Sequence, residues 1–295
     1  MFNGKVESMR EKKYTILNPL NHNAFICESV DTKEKYVFFG KGIGFKKKKG
    51  EIFEYNHNVQ DTMLVLESDE ATQYRDLVNI VENQRLVDIV QNIVYEANKY
   101  FEGKVNAKLN LTLLDHLNFA LERQKNNIIM NYPFLGELKF IYPKEYEFSR
   151  KAYEYLNAEL KDFTKFDEAE LGFLVLHIHA AVTDAKVSKV LMNNEIMYKC
   201  AEILESNMNE KIDRNSIYYS RFTKHLEYAI QRYKNGIKLQ NILLTSIKET
   251  CKEDYKIALE INSFLKGKYH IDLDENEIGY LTLHIYNLRN RKNQY

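Results

Sequence analysis

The strongest constraint on the fold is that the chain writes one module twice. HLNFALER at 116–123 returns as HLEYAIQR at 225–232, and DEAELGFLVLHI at 167–178 returns as DENEIGYLTLHI at 274–285, identical at eight of twelve positions. The offsets are 109 and 107 residues, and within each copy the two histidines stand 61 and 59 residues apart. A near-constant offset marks a tandem duplication. Apolar residues recur at helical spacing through each copy, so each is expected to be an all-α bundle with its own core. Two copies are too few for a stacked solenoid. We place the modules at 72–183 and 184–295. Only 11 glycines and 3 prolines occur in 295 residues, which favours long helices over a turn-rich β fold.

The head has a different period. NAFICESV and KYVFFGKG are short, β-branched and aromatic, and the polar VDTKEK between them marks a hairpin. Asn21-His22-Asn23 and Gly40, Gly42 and Gly44 are spaced as turns. The reading is a small antiparallel sheet of about four strands ending near residue 55, with its domain and linker spanning 13–66. A head this small buries little apolar area and is expected to dimerise. From about residue 70 the period becomes helical, with Val87, Val90, Gln91 and Val94 on one face. The expected class is therefore α+β multidomain: a small antiparallel β domain, then two helical-bundle domains.

Basic and acidic residues balance at 42 each over the whole chain, but not by region. Residues 1–50 carry eleven basic side chains and five acidic ones, a net +6 that leaves −6 for the rest. A basic head on an acidic body implies an anionic partner for the head. The three cysteines are far apart and form no C-x-x-C pair, so neither a disulfide framework nor a zinc ribbon is supported. Neither a leader segment nor an 18-residue apolar run is legible, so the expected setting is reducing and cytoplasmic, without membrane insertion.

Each module offers two histidines, His116 and His177, then His225 and His284. A single histidine at the edge of an apolar stripe is most often a core residue with satisfied ring nitrogens. Here each has a companion, with Arg123 or Arg232 seven residues after the first and on the same helix face. His22, His57, His179 and His270 do not recur and read as ordinary. A metal site would need further ligands at fixed spacing, and neither H-E-x-x-H nor a cysteine partner occurs. Acid–base catalysis would need paired carboxylates in a cleft, and none stands out. A neutral ring nitrogen accepting a phosphoryl group fits better: it places about two negative charges at a helix seam. Asp167 with Glu170, and Asp274 with Glu277, are expected to cap their helices, each glutamate reaching back. Gly172 and Gly279 inside those helices are each less favourable than alanine by about 1 kcal/mol, which implies close approach of another backbone.

In the head, GKGIGFKKKKG at 40–50 is neither a Walker loop nor a dinucleotide fingerprint. Lys46–Lys49 alone read as a solvated run. With Lys41 and Phe45 in the same loop and Asn23 in a neighbouring turn, an RNA-binding surface becomes the better reading. Lysines supply phosphate affinity, Phe45 a stacking face, and Asn23 a base-edge contact.

LNHNAFICES, then VFFGKGIGFKKKKG, then two modules each bearing H-L-x-[FY]-A-[IL]-x-R and G-[FY]-L-x-L-H-I, together resemble the bacterial antiterminators of the BglG/LicT/GlcT type. GKGIGF and LHIHAAV look most like the glucose-type branch. The resemblance runs from about Lys13 to the C-terminus and leaves residues 1–12 as a flexible tail. It implies a CAT RNA-binding domain that grips, as a homodimer, an mRNA hairpin overlapping a terminator, followed by two PRD regulation domains. It implies control by the phosphotransferase system, with Enzyme II and HPr as phosphoryl donors, and no enzymatic turnover, cofactor or metal. The family's phosphoacceptors fall on His116, His177, His225 and His284, and its RNA contacts on Asn23, Gly40, Lys41 and Phe45. Two positions depart from the pattern: Lys41, where many members have arginine, and Asn18, where many have lysine, with Pro19 following. Rival readings are a DNA-binding activator with the same regulation modules and a helical metal-dependent phosphohydrolase.

Overall fold

The computed structural model describes residues 13–55, 64–130, 132 and 134–290. The expected tail at 1–12 and His57 lie outside the described residues. The head forms a five-stranded antiparallel sheet: β1 (Lys13–Asn21), β2 (Ala24–Ser29), β3 (Lys35–Phe39), β4 (Ile52–Glu54) and β5 (Leu64–Glu67), in the order β4-β1-β2-β3-β5. The sequence pointed to about four strands. The fifth is only four residues long and runs straight into a helix, too short for a period-2 pattern to register. Pro19 lies in β1, and the β1–β2 register shifts on either side of Asn18-Pro19, as expected where a residue cannot donate to the ladder.

Both faces of the sheet are buried. Ala24, Ile26, Val37, Phe39 and Leu66 face a core shared with the following helices, where Phe39 meets the ring of Tyr74 edge-on at 5.1 Å. The alternate residues Tyr14, Phe25, Tyr36, Phe38, Phe53 and Tyr55 form a separate aromatic cluster. Phe25 and Phe53 pack edge-on there at 4.9 Å.

Eleven helices follow among the described residues. They are α1 (Ser68–Ile80), α2 (Gln84–Tyr100), α3 (Leu109–Lys125), α4 (Leu135–Ile141), α5 (Pro143–Glu159), α6 (Ala169–Thr183), α7 (Val187–Met208), α8 (Ile217–Lys234), α9 (Leu244–Thr250), α10 (Lys252–Tyr269) and α11 (Glu275–Asn290). The α2 face read from the sequence is buried, and Gln91 on it donates from Nε2 to the Tyr74 hydroxyl at 3.0 Å. The three cysteines are free and buried.

The chain divides into two compact units. One holds the described residues up to 132 together with 144–187; the other holds 134–143 and 188 onward. Helix α4, inside the span read as the first module, therefore folds with the second unit. The reason is a buried carboxylate: Glu137, 5% exposed, accepts from Arg214 Nε at 2.7 Å and from the Tyr219 hydroxyl at 2.6 Å. A buried charge must be paired, so α4 goes where its cation is. Replacing Arg214 with alanine strands Glu137 and should destabilise the second unit by roughly 3–5 kcal/mol. The check is a denaturant titration in which that unit unfolds earlier while the first is unmoved.

Candidate functional site

Helices α3 and α6 bring the two histidines of the first module together, with ring centroids 5.0 Å apart. His177 is 7% exposed, its Nδ1 3.4 Å from the Thr112 hydroxyl. His116 Nε2 lies 2.7 Å from Oε2 of Glu170, and the other carboxylate oxygen accepts from Arg123 Nη2 at 2.7 Å. The histidine and arginine seven residues apart thus meet on one buried anion. Burial pushes the Glu170 carboxyl up, but the hydrogen bonds it accepts from His116 and Arg123, with the guanidinium charge, outweigh it and hold it below the usual carboxylate range. In the second module α8 and α11 hold His225 and His284 with centroids 4.5 Å apart. There Glu277 accepts from Arg232 Nε at 2.5 Å and Nη2 at 2.9 Å, while His225 Nε2 stands 3.6 Å away.

Glu170 and Glu277 are the site residues that the sequence reading missed. Each was read as the reaching-back partner of a helix cap. Asp274 does cap α11, accepting from Glu277 N at 3.0 Å, but the Glu277 side chain points to Arg232. Asp167 does not cap α6; its carboxylate accepts from Gln124 Nε2 at 2.9 Å. The same i, i+3 spacing serves both purposes, and the buried arginine decides between them. The usable signal was the glutamate recurring at the same step before each conserved-in-both-copies histidine. The helical glycines also differ from expectation. A Cβ on Gly172 would come within 2.6 Å of the Tyr132 ring, and one on Gly279 within 2.8 Å of the Asn241 and Leu244 side chains, so side chains rather than backbone press on them.

An open cavity of about 1070 Å³ gives onto the first pair, lined by His116, His177, Thr112, Asp115, Phe119 and Lys108 among others. Burial pushes His177 down to about 3. His225 is also pushed down to about 3, by burial and then by His284 and Arg232, and His284 is lowered by burial and then Arg221. These three rings are neutral at pH 7 and keep a lone pair for nucleophilic attack. As pH falls through 6.5 the unfolded chain protonates each ring, whereas the folded chain holds His177 and His225 neutral until about 3. Stability must therefore fall with pH across that window, by about 2 kcal/mol per ring between pH 7 and 5. Urea midpoints at the two pH values check this, and replacing His177 with glutamine should flatten the dependence for the first unit.

The candidate RNA contacts gather at one corner of the head. Gly40 N donates to Asn23 O at 2.9 Å, Gly42 N to Asn23 Oδ1 at 2.9 Å, and Gly44 N to His22 O at 2.9 Å. The loop is thereby tied to the β1–β2 turn, with Gly42 at φ +72°, a conformation glycine adopts without strain. Phe45 is 54% exposed, packed edge-on by His22 and with Lys46 Nζ 5.3 Å from its centroid. Lys41, Lys46, Lys48 and Lys49 are exposed, and Lys47 pairs with Glu51. Asn23, Gly40, Lys41 and Phe45 are brought together. Asn23 spends its carbonyl oxygen on the loop, which leaves its amide N–H₂ for a partner.

His179 pairs with Glu145 at 2.8 Å, and His270 ends α10 at φ 56°. Among the described residues no three His, Cys, Asp or Glu side chains are grouped to hold a metal, and no helix is long and apolar enough to cross a membrane.

A family model for the CAT RNA binding domain matches residues 14–72, and one for the PRD domain matches 87–181 and 198–288. An RNA-binding head followed by two such domains defines the class of antiterminators controlled by the phosphotransferase system. Protein GlcT of Staphylococcus saprophyticus is 33% identical over 276 residues, covering 92% of this chain and 96% of the relative. Protein GlcT of Staphylococcus aureus (strain bovine RF122 / ET3-1) is 30% identical over 286 residues, covering 96% and 99%. The chain belongs to the GlcT family. A crystal structure of GlcT CAT-PRDI matches with TM-score 0.49 at 31% identity, over 58% of this chain and 99% of that one.

Proposed function

We propose that this chain, as a homodimer in the cytoplasm, binds a hairpin in nascent mRNA through Asn23, Gly40, Lys41 and Phe45 and so prevents an overlapping terminator from forming. Phosphoryl groups carried by HPr and a sugar-specific Enzyme II, of the glucose type, enter at His116, His177, His225 and His284 and set the dimer equilibrium. The observation that carries this is the duplicated pair of histidines beside a buried glutamate–arginine couple, with the first pair open to a cavity. Nothing in that arrangement has to turn over; the rings need only receive and release a group.

The switch is electrostatic. The cavity wall beside His116 and His177 holds Asp76, Asp115 and Asp184 against Lys108 and Lys186. A phosphoryl group adds about two negative charges to that wall. Two like unit charges about 5 Å apart at an effective dielectric of about 20 repel by about 3 kcal/mol, enough to change an association constant roughly a hundredfold. An all-strand head favours RNA over the major groove of DNA, where a helical reader is usual. The test measures hairpin RNA and duplex DNA binding by gel shift, and self-association by sedimentation, before and after treatment with phosphorylated HPr. RNA capture that tracks the dimer supports the reading; preference for duplex DNA, or indifference to the donor, sinks it.

A further inference from the structure

The two modules share residues but not geometry, and the difference falls on one hydrogen bond. Glu170 divides its oxygens between His116 Nε2 and Arg123, each at 2.7 Å. Glu277 gives both oxygens to Arg232, and His225 Nε2 has no hydrogen-bond partner among the described residues. We propose that Glu170 is a positioning residue that fixes His116 as its Nε2–H tautomer, so that this ring accepts the phosphoryl group on Nδ1. The proposal rests on His116 being a phosphoacceptor.

Glu170 is 2% exposed and paired with a guanidinium, so it is a carboxylate and can only accept. The proton in the short contact therefore belongs to His116 Nε2. In that tautomer the Nε2 electron pair is part of the aromatic sextet, and only Nδ1 carries an in-plane lone pair. Attachment at Nε2 would also set a dianion against a buried carboxylate, with no proton left to bridge them.

In the transfer, the Nδ1 lone pair forms the new N–P bond. The donor's N–P bond breaks, and its electron pair returns to the donor ring, which leaves as neutral imidazole when its other nitrogen already carries a proton. His116 keeps its Nε2 proton and becomes a phosphorylated imidazolium whose positive charge faces Glu170. The carboxylate thus orients the ring beforehand and stabilises the charge formed during the step, as an orienting acid does for a nucleophile's partner in a triad.

The test uses the full chain labelled with ¹⁵N-histidine. Long-range ¹H–¹⁵N spectra of the unmodified protein should show His116 with Nδ1 unprotonated and Nε2 protonated. Phosphorylated HPr is then added to a chain in which His177, His225 and His284 are alanine, and ³¹P and ¹⁵N spectra identify the isomer. The expected product is Nδ1-phosphohistidine. Glu170→Gln should slow its formation by about tenfold or more and admit the Nε2 isomer. An Nδ1–H tautomer in the free chain overturns the proposal while leaving His116 as acceptor. So does an Nε2 product with Glu170 intact, or a Glu170→Gln chain of unchanged rate and isomer. Absence of any phosphohistidine at His116 overturns the acceptor assignment and the proposal with it.

Discussion

Replacing His116 and His177 together with alanine should abolish phosphoryl uptake by the first module, while the second module of the same chain still takes up label. The two rings lie 5.0 Å apart on one cavity wall, so either one alone could receive a group from a donor seated there. Both must be removed for complete loss. Peptide mapping after treatment with phosphorylated HPr separates the modules, and a circular dichroism melt confirms that the helices persist. Label still found on peptides of the first module would remove these histidines from the proposed switch. The single variants also carry information. His116→Ala frees Glu170 of one partner but leaves Arg123, so the fold should tolerate it. His177→Ala opens a void at a 7% exposed position and should cost about 1–3 kcal/mol in unfolding free energy.

The second large effect is expected at Gly44. A Cβ there would lie 2.1 Å from Asn21 O and 2.9 Å from Ala24 O. Both are backbone atoms of the β1–β2 turn, so the loop itself has to move. That would break the Gly44 N–His22 O bond and carry Lys41 and Phe45 away from Asn23. Overpacking of this kind costs about 1–3 kcal/mol, and about 1.4 kcal/mol is tenfold in affinity. Gly44→Ala should therefore weaken hairpin RNA binding by roughly tenfold or more, with the melting of the second unit unchanged. Lys49→Ala, at an exposed position, is the contrast: it should lower affinity slightly and reduce the salt dependence by about one phosphate contact. Equal behaviour of the two variants would mean that loop shape does not matter and that the corner acts only as a patch of charge.

Much of this molecule is legible in its sequence. The duplication, the change of period near residue 70 and the paired histidines are local or repeated patterns, and the sequence carries such patterns openly. The α2 face with Val87, Val90 and Gln91 was readable for the same reason, because helical burial follows a fixed spacing. What escaped were long-range partnerships. Glu170 looked like a cap because Asp167 stands three residues before it, and only the arrival of Arg123, 47 residues away, turns its carboxylate inward. Helix α4 looked like part of the first module because of where it falls in the chain, yet Arg214 draws it into the second unit, 77 residues along.

The sequence by itself determined the change of period, the duplication and the chemistry available: helical modules with two recurring imidazoles each, and a basic, glycine-rich corner on a strand-built head. The tertiary structure alone decided which anion each imidazole and guanidinium meets. The reason is that a charge taken out of water must find a counter-charge, and the choice of partner depends on which groups the packed helices bring within about 3 Å rather than on any spacing along the chain.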